Sequence, residues 1–410
     1  MLLTRLRLIL VALLMLAAAG GGFAYYKYKT ISAYLIGQIS GQAGKKLGRQ
    51  LKFRSVSFSP LEGVVIKDVC VSRRPDFSKG NFFCAAKAVI RPQLSALLKN
   101  QVYFSSVSLE KPVLKVREKN GAWDFDDLLA LLPKTDKGLY LTWNAAELTM
   151  TGAVLEADLE TSGQSLALEN ADLTLRHYSS FGGNFGLKAD GTVKTALNGK
   201  LLSAAVKMEA DANFDYGGLS STKGSFSAAN AAYGAITLDT LKMDWTLFNL
   251  RKPLAEKNFS VDLAAGKLLV PGHENSVRDS VAKGLELFSS AMGRPAPKID
   301  DIEMSGLSAA FKLNHSVLSI KNILLRTNFM DLDASISIDG PARKAEAGLK
   351  AEIGRNELAM SASGLMAAPE IKPLLSSGLS AEFKAALTSI ENALLKIFPV
   401  TEQPTGEHHA

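Results

Sequence analysis

The chain has few of the residues that metal centres and small cross-linked folds require. Among its 410 residues there are only two cysteines and five histidines. Two cysteines exclude a four-cysteine zinc site and a fold held together by several disulfides. Only His408 and His409 are close enough in sequence to share a metal ion, and they fall in a polar terminal tail. We therefore predict that the protein holds no metal ion and no cofactor.

Motifs for catalysis and for nucleic-acid binding are also missing. The sequence has no nucleophile elbow, phosphate-binding loop, zinc-protease helix or dinucleotide fingerprint. Asp124, Asp126 and Asp127 match the start of a calcium loop without its glycine or distal glutamate, so helix capping explains them better. A net charge of +7 over 410 residues is too small to indicate a nucleic-acid partner. We predict no catalytic residues and no enzymatic activity.

Aromatic side chains make up only 8% of the chain, although 47% of it is apolar. The apolar share is typical of an ordered protein, and small residues such as alanine supply much of it. Small side chains fill the roughly 10 Å between two packed sheets poorly. The composition therefore favours an apolar surface that leaves room for a ligand.

A long uncharged segment lies near the N-terminus. Residues 8–26 carry no charge, and basic residues flank them on both sides. At 1.5 Å per residue, a helix of this length just spans a bilayer core of about 30 Å. We predict a membrane anchor over residues 1–28. A cleaved signal peptide with its cleavage site at alanines 17–19 is the alternative, and either interpretation exports the rest of the chain.

Most of the remaining sequence alternates between apolar and polar residues, as strands with one apolar and one hydrated side do. About eighteen such segments are separated by turns such as Asn198-Gly199. No long helical pattern separates the segments between residues 139 and 270. We predict a mainly β fold with a long antiparallel sheet over residues 136–368. The apolar positions that align most clearly are Val206, Met208, Ala210, Ala212, Phe214, Leu332, Ala334, Ile336, Ile338, Leu349 and Ile353.

A few amphipathic helices accompany the strands. Apolar residues at helical spacing predict a helical insertion near residues 274–293 and a C-terminal helix over residues 369–398. Pro399 ends the second helix, and residues 399–410 form a polar tail.

The aligned apolar positions allow two interpretations. They form either the core of an ordinary sandwich or a concave groove that holds an apolar ligand. The alternation continues without the breaks that separate sandwich domains of about 100 residues, which favours the groove.

A series of short motifs follows the predicted anchor. It contains a glycine–arginine run, a strand with valine, an aromatic residue and serine, a glycine turn with a second strand, and a stretch from a proline to a tryptophan. The residues that carry it are 48–53, 56–60, 63–69, Leu94, Leu97, Leu98, Val107, Leu109, 111–114 and 121–125. In order and spacing, residues 29–135 resemble the N-terminal region of the AsmA-like family of Gram-negative envelope proteins.

The resemblance implies a long, curled, U-shaped antiparallel sheet, similar to that of bridge-like lipid transfer proteins. Its hydrophobic inner face would carry phospholipid acyl chains, in a single-pass inner-membrane protein whose periplasmic bulk supports outer-membrane biogenesis. About eighteen strands at 4.8 Å spacing give roughly 85 Å, so we expect another envelope protein to complete a bridge. The alternative is a scaffold or assembly factor for outer-membrane proteins that binds no lipid.

Cys70 and Cys84 fall on segments that we expect to be consecutive strands. In an exported, oxidising compartment, a disulfide between neighbouring strands is one interpretation of this pair. Two buried thiols are the other, and the sequence does not decide between them.

Basic residues gather beside the predicted anchor. They are Lys27, Lys29, Lys45, Lys46 and Arg49. We expect them to contact anionic headgroups at the membrane surface. Protection of a solvated strand edge by lysine and arginine is the alternative.

Overall fold

The computed structural model of the chain describes residues 48–372, apart from short stretches within that range. Those stretches are 60–61, 94–103, 130–133, 136–137, 140–144, 178–182, 198, 216–217, 273–277, 280, 284, 287–288, 290–294, 296–297, 354–355 and 367. The predicted anchor (1–28) and polar tail (399–410) therefore lie outside the described residues. No helix among the described residues has both the length and the hydrophobicity to cross a bilayer.

The fold is mainly β, as the alternation predicts. The described residues form 23 strands, of which 21 are hydrogen-bonded into one mixed sheet. Among the described residues, strands β8 (Lys134–Thr135) and β9 (Gly138–Leu139) form a separate two-stranded sheet. The chain divides into two compact units, and each takes part of strand β12 (Gly183–Leu197).

Unit 1 comprises the residues up to 181 together with 188–195. Besides its strands, the described part of unit 1 contains one short helix, α1 (Asp126–Leu129), and a 3₁₀ turn over Phe77–Lys79. Its sheet strands before β12 are β1 (Leu51–Lys52), β2 (Ser55–Ser59), β3 (Gly63–Ser72), β4 (Asn81–Pro92), β5 (Phe104–Glu110), β6 (Val113–Lys119), β7 (Ala122–Trp123), β10 (Ala145–Leu159) and β11 (Gln164–His177).

Strand β10 corrects the prediction of an antiparallel sheet. Its first part runs parallel to β5, with Leu148 beside Val107, and its second part runs parallel to β6, with Leu155 beside Leu114. The chain between β6 and β10 includes α1 and three short strands, and this length allows the crossover that parallel pairing requires. Side chains alternate with period two in either strand direction, so the pattern gave no sign of this crossover.

Unit 2 comprises residues 182–187 and those from 196 onward. Every pairing described among its strands β13 to β23 is antiparallel, and β16 and β17 share one place between β15 and β18. A 3₁₀ turn over Leu254–Glu256 follows β15. The strands are β13 (Lys200–Asp215), β14 (Gly218–Tyr233), β15 (Ile236–Phe248), β16 (Asn258–Ala265), β17 (Leu268–Val270), β18 (Ile302–Asn314), β19 (Val317–Thr327), β20 (Asp331–Asp339), β21 (Lys344–Ile353), β22 (Asn356–Leu365) and β23 (Ala368–Lys372).

The two predicted helices of this region are only partly described. Described residues between 278 and 289, within the predicted insertion, are helical, and Leu285 is buried. The predicted start of the C-terminal helix at residue 369 is wrong, because residues 369–372 belong to strand β23. The alternation of β22 continues there, with Ile371 opposite Ala362. The rest of that predicted helix lies outside the described residues.

Bulges interrupt the long strands and keep their apolar residues on one side. The register between β13 and β14 shifts near Asn230, which has a left-handed backbone with φ of 51°. The registers of β19 shift around Asn322, whose φ is 55°. A bulge adds one unpaired residue and bends the strand. Apolar residues accordingly change from even to odd numbers at both places.

Two clusters of buried apolar side chains are found in the described part of the chain. The larger lies in unit 1 on β2, β3 and β4, around Phe58, Val64 and Ile66. The smaller lies in unit 2 and contains Ile338 and Met366. The tightest packing of unit 1 is therefore at its first strands.

Candidate functional site

The hairpin β13–β14 brings the predicted residues of β13 beside apolar residues of β14. Val206 lies opposite Ala228, and Met208 lies opposite Phe226. Because side chains directly opposite in a sheet share a side, these residues form rows across the strands. The remaining pairs along this hairpin are Ala210 with Gly224, Ala212 with Thr222 and Phe214 with Leu219.

Strands β20 and β21 bring the second predicted set together in the same way. Ile336 lies opposite Ala347 on β21 and opposite Ile320 on β19. Ile353 ends β21, opposite Asn356 of β22. The other pairs between β20 and β21 are Leu332 with Ala351, Ala334 with Leu349 and Ile338 with Ala345.

Strands β15 to β19 connect the two sets through apolar residues that the sequence analysis did not single out. Two rows of successive cross-strand neighbours show the connection, and we call this side of β13–β22 the apolar face. The first row contains Trp245, Val261, Phe311, Ile320 and Ile336. The second contains Leu241, Ala265, Leu307, Leu325 and Leu332.

Much of the apolar face remains accessible to solvent. The bulky side chains of Met208, Phe226 and Trp245 all keep partial exposure. Toward β22 the face is more covered, and Met360 is only 7% exposed. Side chains between two packed sheets are shielded from water on both sides. A partly exposed apolar surface of this extent is instead typical of a binding surface.

Trp245 occupies the space beside a glycine on the neighbouring strand. A Cβ atom at Gly224 would collide with the Trp245 ring and with the carbonyl oxygen of Glu209. The indole N–H donates a hydrogen bond to the Thr222 hydroxyl, with 3.3 Å between the heavy atoms. The indole therefore extends across β14 on the apolar face with its polar atom satisfied.

Phe214 marks one end of the β13 row. Its ring packs edge to face against Phe185 of β12, with 5.7 Å between the ring centroids. Phe185 is only 4% exposed, and Gly183 lies so close to Phe214 that it has no room for a Cβ atom. This end of the row is closed by an aromatic contact.

The other side of the unit 2 sheet carries charges that pair with one another. The Lys350 ammonium lies 3.0 Å from a carboxylate oxygen of Glu352 and 3.2 Å from one of Glu357. Its hydrogen bonds to Glu352 and Glu357 raise the pKa of Lys350. Arg326 lies 3.5 Å from Asp333 nearby. The sheet therefore has one apolar and one hydrated side.

Cys70 and Cys84 are joined by a disulfide bond. They lie directly opposite each other on the antiparallel strands β3 and β4 of unit 1. Val69 and Ala85, one residue away on the same strands, belong to the larger buried cluster. The disulfide thus connects two strands that also share a core.

Arg49 lies in the interior of unit 1, which overturns its predicted role in headgroup binding. Its side chain is 0% exposed, and its guanidinium pairs with Asp127 at 2.7 Å. It also donates a hydrogen bond to the Asp124 carbonyl oxygen and lies 4.2 Å from the Phe82 ring centroid. A buried cation requires such partners because its desolvation is costly. The other predicted membrane-surface residues, Lys27, Lys29, Lys45 and Lys46, lie outside the described residues.

The aspartates around α1 act as partners for arginines. Asp127 pairs with Arg74 at 3.0 Å as well as with Arg49. Asp124 pairs with Arg73 at 2.9 Å. In the described range, no group of three or more His, Cys, Asp and Glu side chains is arranged to hold a metal ion. These carboxylates therefore stabilise the start of unit 1.

Comparison of the chain with protein-family models, with curated proteins and with solved structures finds no match. The apolar face of unit 2 is the described surface with the clearest capacity to bind a ligand.

Proposed function

We propose that the protein binds phospholipid acyl chains on the apolar face and helps to transfer phospholipid through the periplasm. The observation that carries this proposal is the partly exposed apolar face, which continues in register from β13 to β22. Contact between water and such a surface is unfavourable. An acyl chain displaces that water without needing polar partners in the site.

The dimensions of the face suit acyl chains. At about 3.4 Å per residue, the row from Val206 to Phe214 is about 27 Å long. Nine strand positions spaced by about 4.8 Å extend about 38 Å in the other direction. Transfer of about ten methylene groups from water contributes roughly 8 kcal/mol before the cost of association. Several acyl chains therefore fit side by side, and the transfer of their methylene groups offsets much of the cost of association.

The resemblance to the AsmA-like family supports the rest of the proposal. It is the basis for an inner-membrane anchor at residues 1–28, a U-shaped sheet and a role in outer-membrane biogenesis. The length expected from the sequence adds a further envelope protein that completes a bridge, since the eighteen or so strands predicted from alternation reach only about 85 Å. Cell fractionation of the full chain tests the anchor independently of lipid binding.

Site-specific photo-crosslinking tests the lipid-binding step, because adjacent residues of a strand point to opposite sides. A photoreactive amino acid is placed at Met208 or Ile336 on the apolar face. Glu209 and Asp333, on the hydrated side, are the matched controls. After irradiation of Gram-negative cells that produce the full chain, we expect lipid adducts from the first pair only.

Adducts of equal yield from both sides, or no lipid adducts at all, contradict the proposal. If Met208 and Ile336 capture no lipid while the controls capture one defined protein, the alternative of a scaffold for outer-membrane proteins is supported instead. The two functions therefore give opposite results in the same experiment.

A further inference from the structure

The two edges of the unit 2 sheet differ in chemistry. Because its strands form an antiparallel meander, alternate turns lie at the same edge. The turns after β15, β18 and β20 share one edge and comprise residues 249–257, 315–316 and 340–343. We call these turns, with the adjoining strand ends Phe248, Lys344 and Leu365, the basic edge.

Cations predominate at the basic edge. Of the acidic residues that flank its turns, Asp215 pairs with Arg251, and Asp339 accepts a hydrogen bond from the Ala342 backbone N–H at 3.0 Å. Lys252, Lys344 and the neighbouring Arg343 are all exposed. The turns themselves contain the basic residues Arg251, Lys252, Lys257 and Arg343 and one acidic residue, Glu256.

Two bulky apolar side chains also lie at the basic edge. Phe248 is 49% exposed at the end of β15, and Leu365 is 53% exposed at the end of β22. Phe248 directly follows Leu247 of the apolar face, so it points to the otherwise hydrated side. Six strand spacings of about 4.8 Å separate β15 from β22, or about 29 Å. These side chains do not extend the apolar face and call for a different partner.

The opposite edge of the same sheet carries charges of both signs. The strands β18, β20, β21 and β22 carry carboxylates within two residues of their ends there. These residues are Glu303, Asp331, Glu352 and Glu357. At that edge Lys350 pairs with Glu352 and Glu357, and Arg326 pairs with Asp331. Its carboxylates are therefore largely compensated, whereas the exposed cations of the basic edge would attract an anionic surface.

We propose that the basic edge docks on the surface of an anionic phospholipid bilayer. Lysine and arginine near such a surface are attracted to its headgroups. Exposed Phe and Leu side chains beside them enter the interface between headgroups and acyl chains. This docking orients unit 2 with the opposite edge away from the membrane. It goes beyond lipid binding on the apolar face and does not depend on it.

The test must detect contacts of the edge itself, because the predicted anchor would attach every variant to a vesicle. The full chain is reconstituted in vesicles of equimolar phosphatidylglycerol and phosphatidylcholine, with a photoreactive amino acid at Phe248 or Leu365. Leu201 is the matched control, since it is 58% exposed at the start of β13, which is the opposite edge. We expect lipid adducts from the first two positions at a yield about tenfold above that from Leu201.

Charge reversal makes the test sharper. The double variant Lys252→Glu and Arg343→Glu should lower the yield at Phe248 by about tenfold, as should high salt. The matched variant Lys207→Glu and Lys242→Glu changes two exposed lysines in the middle of β13 and β15 and should leave the yield unchanged.

Three results overturn the docking proposal: equal adducts from Leu201, equal adducts in pure phosphatidylcholine, or an equal loss in the Lys207 and Lys242 variant. Capture of a protein in place of lipid at Phe248 also overturns it. Adducts from Met208 are recorded in the same preparation, and circular dichroism verifies that each variant keeps its sheet. A failure of docking is thereby distinguished from a failure of lipid binding on the apolar face.

Discussion

Units 1 and 2 are built from similar alternating strands but are stabilised differently. Unit 1 contains a disulfide, the buried pair of Arg49 and Asp127, and a compact cluster around Val64. Both cysteines of the chain are in that disulfide, and the unit 2 sheet leaves bulky apolar side chains such as Met208 partly exposed. Unit 1 is therefore held by a disulfide and a buried ion pair as well as by apolar packing, whereas much of the apolar face of unit 2 stays accessible to solvent.

Removal of the buried Arg49 cation should produce the largest difference in stability between the two units. In Arg49→Met the Asp127 carboxylate, whose side chain is 9% exposed, loses its buried partner. We expect unit 1 to lose about 3 kcal/mol of stability, measured as faster hydrogen exchange in β3 and β4. Arg54→Met is the control, because the side chains of Arg54 and its partner Asp68 are 78% and 47% exposed. Loss of this pair should lower the stability of unit 1 by less than about 1 kcal/mol. An equal effect of both variants would show that the buried pair has no special role.

Removal of the disulfide should also weaken unit 1 alone. Cys70→Ser with Cys84→Ser opens a loop of sequence separation 14, and loops of this size contribute about 3 kcal/mol. The measurement is hydrogen exchange or limited proteolysis, with β13–β15 of unit 2 as the internal control. Faster exchange in β13–β15 would mean that the units are not stabilised separately.

A matched pair of valines tests the difference in packing. Val64 is 1% exposed in the unit 1 cluster, whereas Val206 is partly exposed on the apolar face. We expect Val64→Ala to cost about 2 kcal/mol and Val206→Ala less than about 1 kcal/mol, by urea unfolding with exchange detection. If Val206→Ala is the more costly change, the apolar face is an ordinary core rather than an open surface.

One titratable group in each unit should make the stability of that unit depend on pH, and the two dependences should have opposite signs. A hydrogen bond from the Thr161 hydroxyl, at 2.7 Å, and one from the Gly121 backbone lower the pKa of Glu118 in unit 1. Its stabilising effect is present above the ordinary carboxyl pKa and is lost as pH falls through the lowered value. In unit 2 the pKa of Lys350 is raised. The ammonium group therefore stabilises the folded state fully below the ordinary lysine pKa, and this stabilisation is lost as pH rises through the raised value.

These effects are the smallest of the four predictions. Glu118→Gln should reduce the acid sensitivity of unit 1, and Lys350→Met should reduce the alkaline sensitivity of unit 2. Unfolding of each unit, followed by exchange against pH, is the measurement. Unchanged pH profiles in both variants would contradict the assignment.

Period-two alternation predicted the strands well because it is a local property. Val206, Met208 and Ala210 share one side of β13 whichever strand pairs with them. The parallel pairing of β10 was not predictable, since it depends on how far the chain travels before it pairs. Bulges such as that at Asn230 were also missed, because they depend on the neighbouring strand.

The site was predictable only where alternation is regular. Trp245 and Phe311 were missed although they alternate too, because only register shows that they continue the row that reaches Ile336. Arg49 was assigned wrongly because its partner Asp127 is 78 residues away in sequence. Its charge suggested a surface position, and a distant carboxylate reversed that expectation. The concave shape of the face stays a prediction.

The order of strand pairing has a consequence for how the chain folds. In unit 2, from β13 onward, pairs form between strands that are consecutive in the chain, with β16 and β17 sharing one place. Such a sheet can grow one strand at a time from a chain that is made from its N-terminus, and its longest connection, residues 271–301, lies between β17 and β18. Unit 1 has to wait until β10 has been made before β5 and β6 gain their parallel neighbour. Unit 1 therefore completes its sheet only after β10 has been made, whereas each strand after β13 can be added to a neighbour that precedes it in the chain.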